Sequence, residues 1–130
     1  MRHLFYILTV CVVLIACSGV TPEWQAASAA KEYYDCLAEG YAEGYLEGKA
    51  NIDSLPEDYG EQLLGSVKQY QVDMQAKHQG LRQVLISDNV GFQDTIQHVI
   101  YAYLLLCYGD STQEEVTVPM VEHNGKWLMK

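Results

Sequence analysis

Positive charge is scarce in this chain: eight Lys and Arg stand against seventeen Asp and Glu, a formal net charge of −9. A surface so composed cannot hold a phosphate backbone, which excludes nucleic acid as a partner, and the folded surface repels anionic headgroups. Long apolar runs are lacking too. Residues 4–16 form the main apolar stretch, and it falls short of the ~20 residues a membrane-spanning helix needs. His78, His98 and His123 are far apart with no second ligand at metal spacing, and no Gly-x-Ser-x-Gly elbow is present. Gly40, Gly44 and Gly48 recur every fourth residue with no strand before them, so they do not make a phosphate loop. Neither a metal nor any other cofactor is expected.

What is present begins at the N-terminus. Arg2 and His3 precede the apolar stretch, which closes on Leu14-Ile15-Ala16-Cys17. This length and these flanks suit the core of a secretory signal. The closing run resembles the lipobox of bacterial lipoproteins, which implies cleavage before Cys17 and lipid attachment to it. The organisation expected is a signal peptide over 1–16, a lipidated tether over 17–22 and one domain over 23–130. The partner is then a membrane held through acyl chains, each buried methylene contributing ~0.8 kcal/mol, and the location is the cell envelope, outside the cytoplasm. The part after residue 16 keeps seven Lys or Arg against seventeen Asp or Glu, a net charge of −10. Two of the four cysteines, Cys36 and Cys107, remain in the domain. They are the candidate disulfide in an oxidising compartment, with small free core thiols as the alternative; the Cα separation that decides is not legible in sequence.

Helices come first. Thr21-Pro22-Glu23 is a start signal, and Ala30, Tyr33, Tyr34, Leu37 and Tyr41 then recur at helical spacing beside an acidic stripe of Glu32, Asp35, Glu39 and Glu43. The Glu-Gly-Tyr repeat over 39–48 stacks glycine on glycine and glutamate on glutamate, each costing a continuous helix some tenths of a kcal/mol up to about 1 kcal/mol. A break near Gly40 follows, with a short helix over 41–50 and a loop to Ser54. Glu39, Glu43 and Glu47 lack the loop geometry of a calcium site and suit a solvated face beside close glycine packing. A third helix is expected from Ser54, capped in a box with Glu57, placing Tyr59, Leu63, Val67, Tyr70 and Met74 against a sheet and stopping at Gly80.

Beyond Gly80 the period is that of strands: 81–86, a polar loop over 87–94, a long strand over 95–108, a turn at Gly109-Asp110, and a strand over 113–121. Asn124-Gly125 is a strong hairpin signal. A two-residue turn pairs His123 with Lys126, Glu122 with Trp127 and Met120 with Met129, gathering Val116, Val118, Met120, Trp127 and Met129 on one face and leaving Val121 and Leu128 on the other. The order predicts an α+β fold, N-terminal helices packed on a curved antiparallel sheet of about four strands.

The tract 104–111, with 116–121 and Asn124-Gly125-Lys126-Trp127 after it, resembles the C-terminal signature of small bacterial lipoproteins. Those carry a domain of unknown function of the nuclear transport factor 2-like (NTF2-like, cystatin-like) superfamily, and the likeness covers 26–130. It implies a cone whose sheet curls around the first helix. Tyr34, Tyr101 and Tyr103 are the candidates to line its pocket. Enzymes of the superfamily place an Asp with a His or Tyr inside the cone; no Asp shares the strand phase of Tyr101 and Tyr103, and His98 has the opposite phase. The expected function is therefore a noncatalytic, lipid-anchored binding or protein-interaction module for a small ligand or protein partner. The alternative is a small hydrolase or isomerase acting in the cone. A homodimer through the open sheet face is a further expectation, with Val121 and Leu128 as its mark.

Overall fold

A computed structural model describes residues 20–130; Cys17 and the 1–16 segment lie outside it. Helix α1 spans Pro22–Ala38, α2 spans Ala42–Leu46, a 3-10 turn covers Ile52–Ser54, and α3 spans Glu57–His78. Four strands follow, β1 Leu81–Asp94, β2 Val99–Tyr108, β3 Gln113–His123 and β4 Lys126–Met129, as an antiparallel meander in sequence order. The expected helices packed on a curved four-stranded antiparallel sheet are what the chain forms. Among the described residues no helix is long and apolar enough to cross a membrane.

Helix α1 starts as its sequence dictates. Thr21 Oγ1 accepts a hydrogen bond from Trp24 N at 3.2 Å, with Pro22 at the first helical position. Ala26, Ala27 and Ala30 are fully buried, and their small size lets the helix backbone approach the sheet. Opposite them lie Val84, Ile100, Ala102, Leu104, Leu106, Val118, Met120 and Met129, which with the alanines form the core. The helix ends at Gly40, whose φ of +82° suits glycine.

The hairpin register agrees with the sequence pairing: Met120 opposite Met129, Glu122 opposite Trp127, His123 opposite Lys126. Positive φ at Asn124 (52°) and Gly125 (80°) gives the turn the handedness a two-residue hairpin needs.

Several expectations change. Helix α2 stops at Leu46, because the chain beyond it pairs with the sheet edge: Met129 N donates to Gly48 O and Ala50 N to Met129 O, both at 2.6 Å. Gly48 permits this close approach, since a Cβ there would strike the Tyr33 ring. The capping box at Ser54 does not form. Ser54 closes the 3-10 turn and donates its hydroxyl to Asn51 O (2.8 Å), so α3 starts after Pro56 without a side-chain cap. The 87–94 segment is strand, not loop; β1 runs through it with a bulge between Ile86 and Gly91 and Val90 at φ 59°. Residues 95–98 form the turn into β2, held by Asp94 Oδ1, which accepts from Ile96 N and Gln97 N. Trp127 is half-buried instead of buried; Tyr33 donates its hydroxyl to Trp127 O (2.8 Å), and the indole N–H reaches Gln25 Oε1 at 3.4 Å.

Candidate functional site

From Ile100 onward strand β2 is buried in alternation, Val99 before it being buried as well, and the inward residues are Ile100, Ala102, Leu104, Leu106 and Tyr108. Tyr101 and Tyr103 therefore point to the outer face of the sheet, opposite to the sequence expectation. Both phases of this strand are apolar, so alternation could not choose between them. The outer face also carries Leu105, half-buried Val121 and Leu128, and exposed Leu85 and Phe92. Cys107 is on that face, whereas Cys36 belongs to α1 on the inner one and donates its thiol to Glu32 O. Cys36 and Cys107 are both free thiols, so the candidate disulfide is not made, the sheet lying between them. Burial, with Glu39 and Asp35 nearby, pushes the Cys36 thiol pKa up.

Of the three tyrosines expected in a pocket, Tyr34 alone is there. The mouth of the cone is a cleft of about 430 Å³ between α1, α2, α3 and the inner sheet face. Its apolar walls come from Leu37, Leu46, Leu63, Val67, Leu106 and Val116, and its polar groups from Tyr34, Tyr45, Tyr70, Ser66, Lys49 and Glu114. The roof is α3. That helix buries none of its residues fully, contrary to the sheet-packed stripe its pattern suggested, because the cleft separates its middle turns from the strands. Met74 packs against the core, and the other fastenings are polar. Gln71 donates to Leu37 O (3.2 Å), Lys68 faces Glu43 at 3.6 Å, and the hydroxyls of Tyr70 and Tyr108 meet at 3.5 Å.

Tyr34 meets Tyr45 edge to face, ring centroids 5.3 Å apart, a favoured aromatic arrangement. Burial, followed by the neighbouring Tyr45, pushes the Tyr34 phenol pKa far up. Tyr108 is pushed up likewise, by burial first and then by its hydrogen bond with Tyr70. Its hydroxyl donates to Glu114 Oε1 at 3.3 Å. These phenols are donors and not bases at ordinary pH. Lys49 Nζ lies 5.4 Å from the centre of the Tyr45 ring, within cation–π range.

A second cluster ties the end of α3 to the β2–β3 turn. His78 Nδ1 is 2.9 Å from Asp110 Oδ2, and the imidazole is tilted over the Tyr108 ring at 4.9 Å. Thr112 donates its hydroxyl (2.5 Å) and its amide (3.1 Å) to Asp110 Oδ1. The Thr112 hydroxyl, and after it His78, hold the Asp110 carboxyl down to about 2. His98 sits in a turn at φ 56° and contributes to neither cluster. Among the described residues no group of three or more His, Cys, Asp or Glu is placed to hold a metal.

Sequence reasoning missed Tyr45, Tyr70, Lys49 and Glu114. Two of these were legible: Tyr70 stands on the α3 stripe already placed toward the sheet, and Glu114 lies two residues before Val116 on the strand phase already assigned inward. The His78–Asp110 pair joins residues 32 positions apart and has no sequence signal.

A helix-lined sheet curled into a cone with its opening beside the first helix can be compared with solved structures. A crystal structure described as a "Putative NTF2-like transpeptidase", from Campylobacter jejuni, superposes with a TM-score of 0.60 at 12% identity, over 77% of this chain and 92% of that one. The fold is NTF2-like. At that identity the likeness concerns the NTF2-like fold alone, which hosts unrelated activities. No protein-family model and no curated protein matches the chain.

Proposed function

We propose that this NTF2-like domain is a lipid-anchored, extracytoplasmic binding module, of the kind found in small bacterial lipoproteins, and that its cone-mouth cleft takes a small, largely apolar ligand without transforming it. The observation that carries the binding role is the cleft: about 430 Å³, walled by leucine and valine, with a few tyrosine hydroxyls and two charged groups. Its size and lining are those of a small-molecule site. The noncatalytic role is supported by the groups present. Burial raises the Tyr34 phenol pKa, so it holds its proton, and the His78–Asp110 pair serves the α3 end, where neither residue lines the cleft. The anchor is supported by Leu14-Ile15-Ala16-Cys17.

The tests are separate. Cys17→Ser should abolish acyl labelling and leave precursor or soluble protein in place of a membrane-bound mature form; unchanged labelling would remove the anchor. For the cleft, mass spectrometry of small molecules carried by the purified full chain is compared with Val67→Trp, which fills the cleft from α3. Loss of the bound molecule with little change in melting temperature is expected. Equal loading of both proteins would move the ligand elsewhere.

A further inference from the structure

The two charged residues of the cleft are far apart along the sheet. Lys49 is bridged to Met129, which pairs with Met120, whereas Glu114 comes six residues before Met120 on β3 and pairs with Leu106. Six strand residues correspond to roughly 20 Å of backbone, so the ammonium and the carboxylate enter the cleft from opposite ends. Lys49 is half-buried and makes no ion pair with the described residues. Its neighbour is the Tyr45 ring. Glu114 accepts from Tyr108 through Oε1, and no described residue donates to Oε2. Each end therefore keeps unused capacity for a group of opposite charge, and the Tyr34 and Tyr70 rings line the same cleft.

Lys49 is half-buried and Glu114 stands exposed at the rim, so an uncharged occupant would displace part of the water of each and return nothing, which is costly for charged groups. An occupant with matching ends replaces that hydration with charge-assisted hydrogen bonds. Resting on the reading of the cleft as a ligand site, we infer that its ligand is bipolar: a carboxylate against Lys49, an ammonium against Glu114, and an apolar body along Leu37, Leu63 and Val67 between them. In a chain of net charge −9 the anionic end gains nothing from the overall field, so recognition of it rests on Lys49.

The test is a series of straight-chain ω-amino carboxylates of about 4 to 10 carbons, with alkanoates, alkylamines and primary alcohols of the same lengths. Binding to the full chain in lipid nanodiscs is measured by ligand-observed NMR, with empty nanodiscs as the reference. Affinity should peak at one chain length, where the bipolar molecule binds about tenfold or more tighter than either singly charged analogue, in line with the strength of hydrogen bonds to charged groups. Lys49→Gln should reduce it to the level of the alkylamine and Glu114→Gln to that of the alkanoate. Alcohols binding as tightly as the ω-amino carboxylates, or a series without a maximum, would overturn the bipolar assignment and leave the cleft a ligand site. No binding by any member would overturn both.

Discussion

Gly48 offers the sharpest test of how the cone is assembled. It is buried at the point where the chain leaving α2 meets β4. A Cβ built there lies 2.5 and 2.6 Å from the two Cδ atoms of Tyr33, far inside contact distance. Its φ is not in the left-handed region, so Gly48→Ala brings a steric conflict and no backbone strain. The Tyr33 ring cannot withdraw freely, because its hydroxyl is spent on Trp127 O at 2.8 Å and its body packs against the core. Overpacking of this kind costs about 1–3 kcal/mol, and losing the Tyr33 hydrogen bond adds about 1 kcal/mol. A total of about 2–4 kcal/mol is a large share of the 5–15 kcal/mol typical of a domain. At about 4 °C per kcal/mol for this size, the melting temperature should fall by about 8–16 °C. The mechanism is checked by a double-mutant cycle: in a Tyr33→Ala background the obstacle is gone, so adding Gly48→Ala should cost less than about 0.5 kcal/mol, giving a coupling above about 1 kcal/mol. A Gly48→Ala cost below about 0.5 kcal/mol in the parent chain, or additive costs in the cycle, would refute the packing argument.

Gly60 and Gly65 in α3 have open space where a Cβ would go, so Gly60→Ala and Gly65→Ala should each raise stability by about 0.5–1 kcal/mol in chemical denaturation. Asp110 is held down to about 2. Because the folded value lies below the ordinary value near 4, its stabilisation is complete above that value and fades as pH falls from about 4 toward 2. The melting-temperature gap between parent and Asp110→Asn should accordingly be widest at neutral pH and close across that window; a gap independent of pH would assign the cluster no charge role. Trp127→Ala should cost about 2 kcal/mol by thermal melts, below the 3–5 kcal/mol of a fully buried aromatic, since the ring is half-buried. Tyr101→Phe and Tyr103→Phe, on the outer face, should change neither cleft binding nor stability by more than about 0.5 kcal/mol.

The fold was legible wherever one short signal sufficed. Thr21-Pro22 marked the first helix, Gly40 its end, and Asn124-Gly125 set a register that placed Met120 on Met129. The site was not, for two physical reasons. Strand β2 is apolar on both faces, so its phase was settled by the small Ala102 fitting under the alanines of α1, a contact between elements and not a local pattern. The cleft exists because α3 stands off from the sheet, while its sequence has the periodicity of a helix lying flat on one. Glu114 could have been found by following the inward phase of β3 to its start. The bridge from Gly48 to Met129 depends on a ring 15 residues earlier making way for a bare backbone, which periodicity does not register.

The roof helix has a thermodynamic corollary. A segment of 22 residues that encloses none of its side chains completely is fastened by Met74 on the core and a handful of polar links, the last of them at His78. Detaching it uncovers Met74 and the half-buried cleft wall but none of the fully buried core, so the free energy separating closed from lifted forms is a part of that for global unfolding. Amides of α3 should then exchange with solvent while those of β2 remain protected. An occupant of the cleft beneath can then be admitted and released without loosening the alanine-packed centre that keeps its shape.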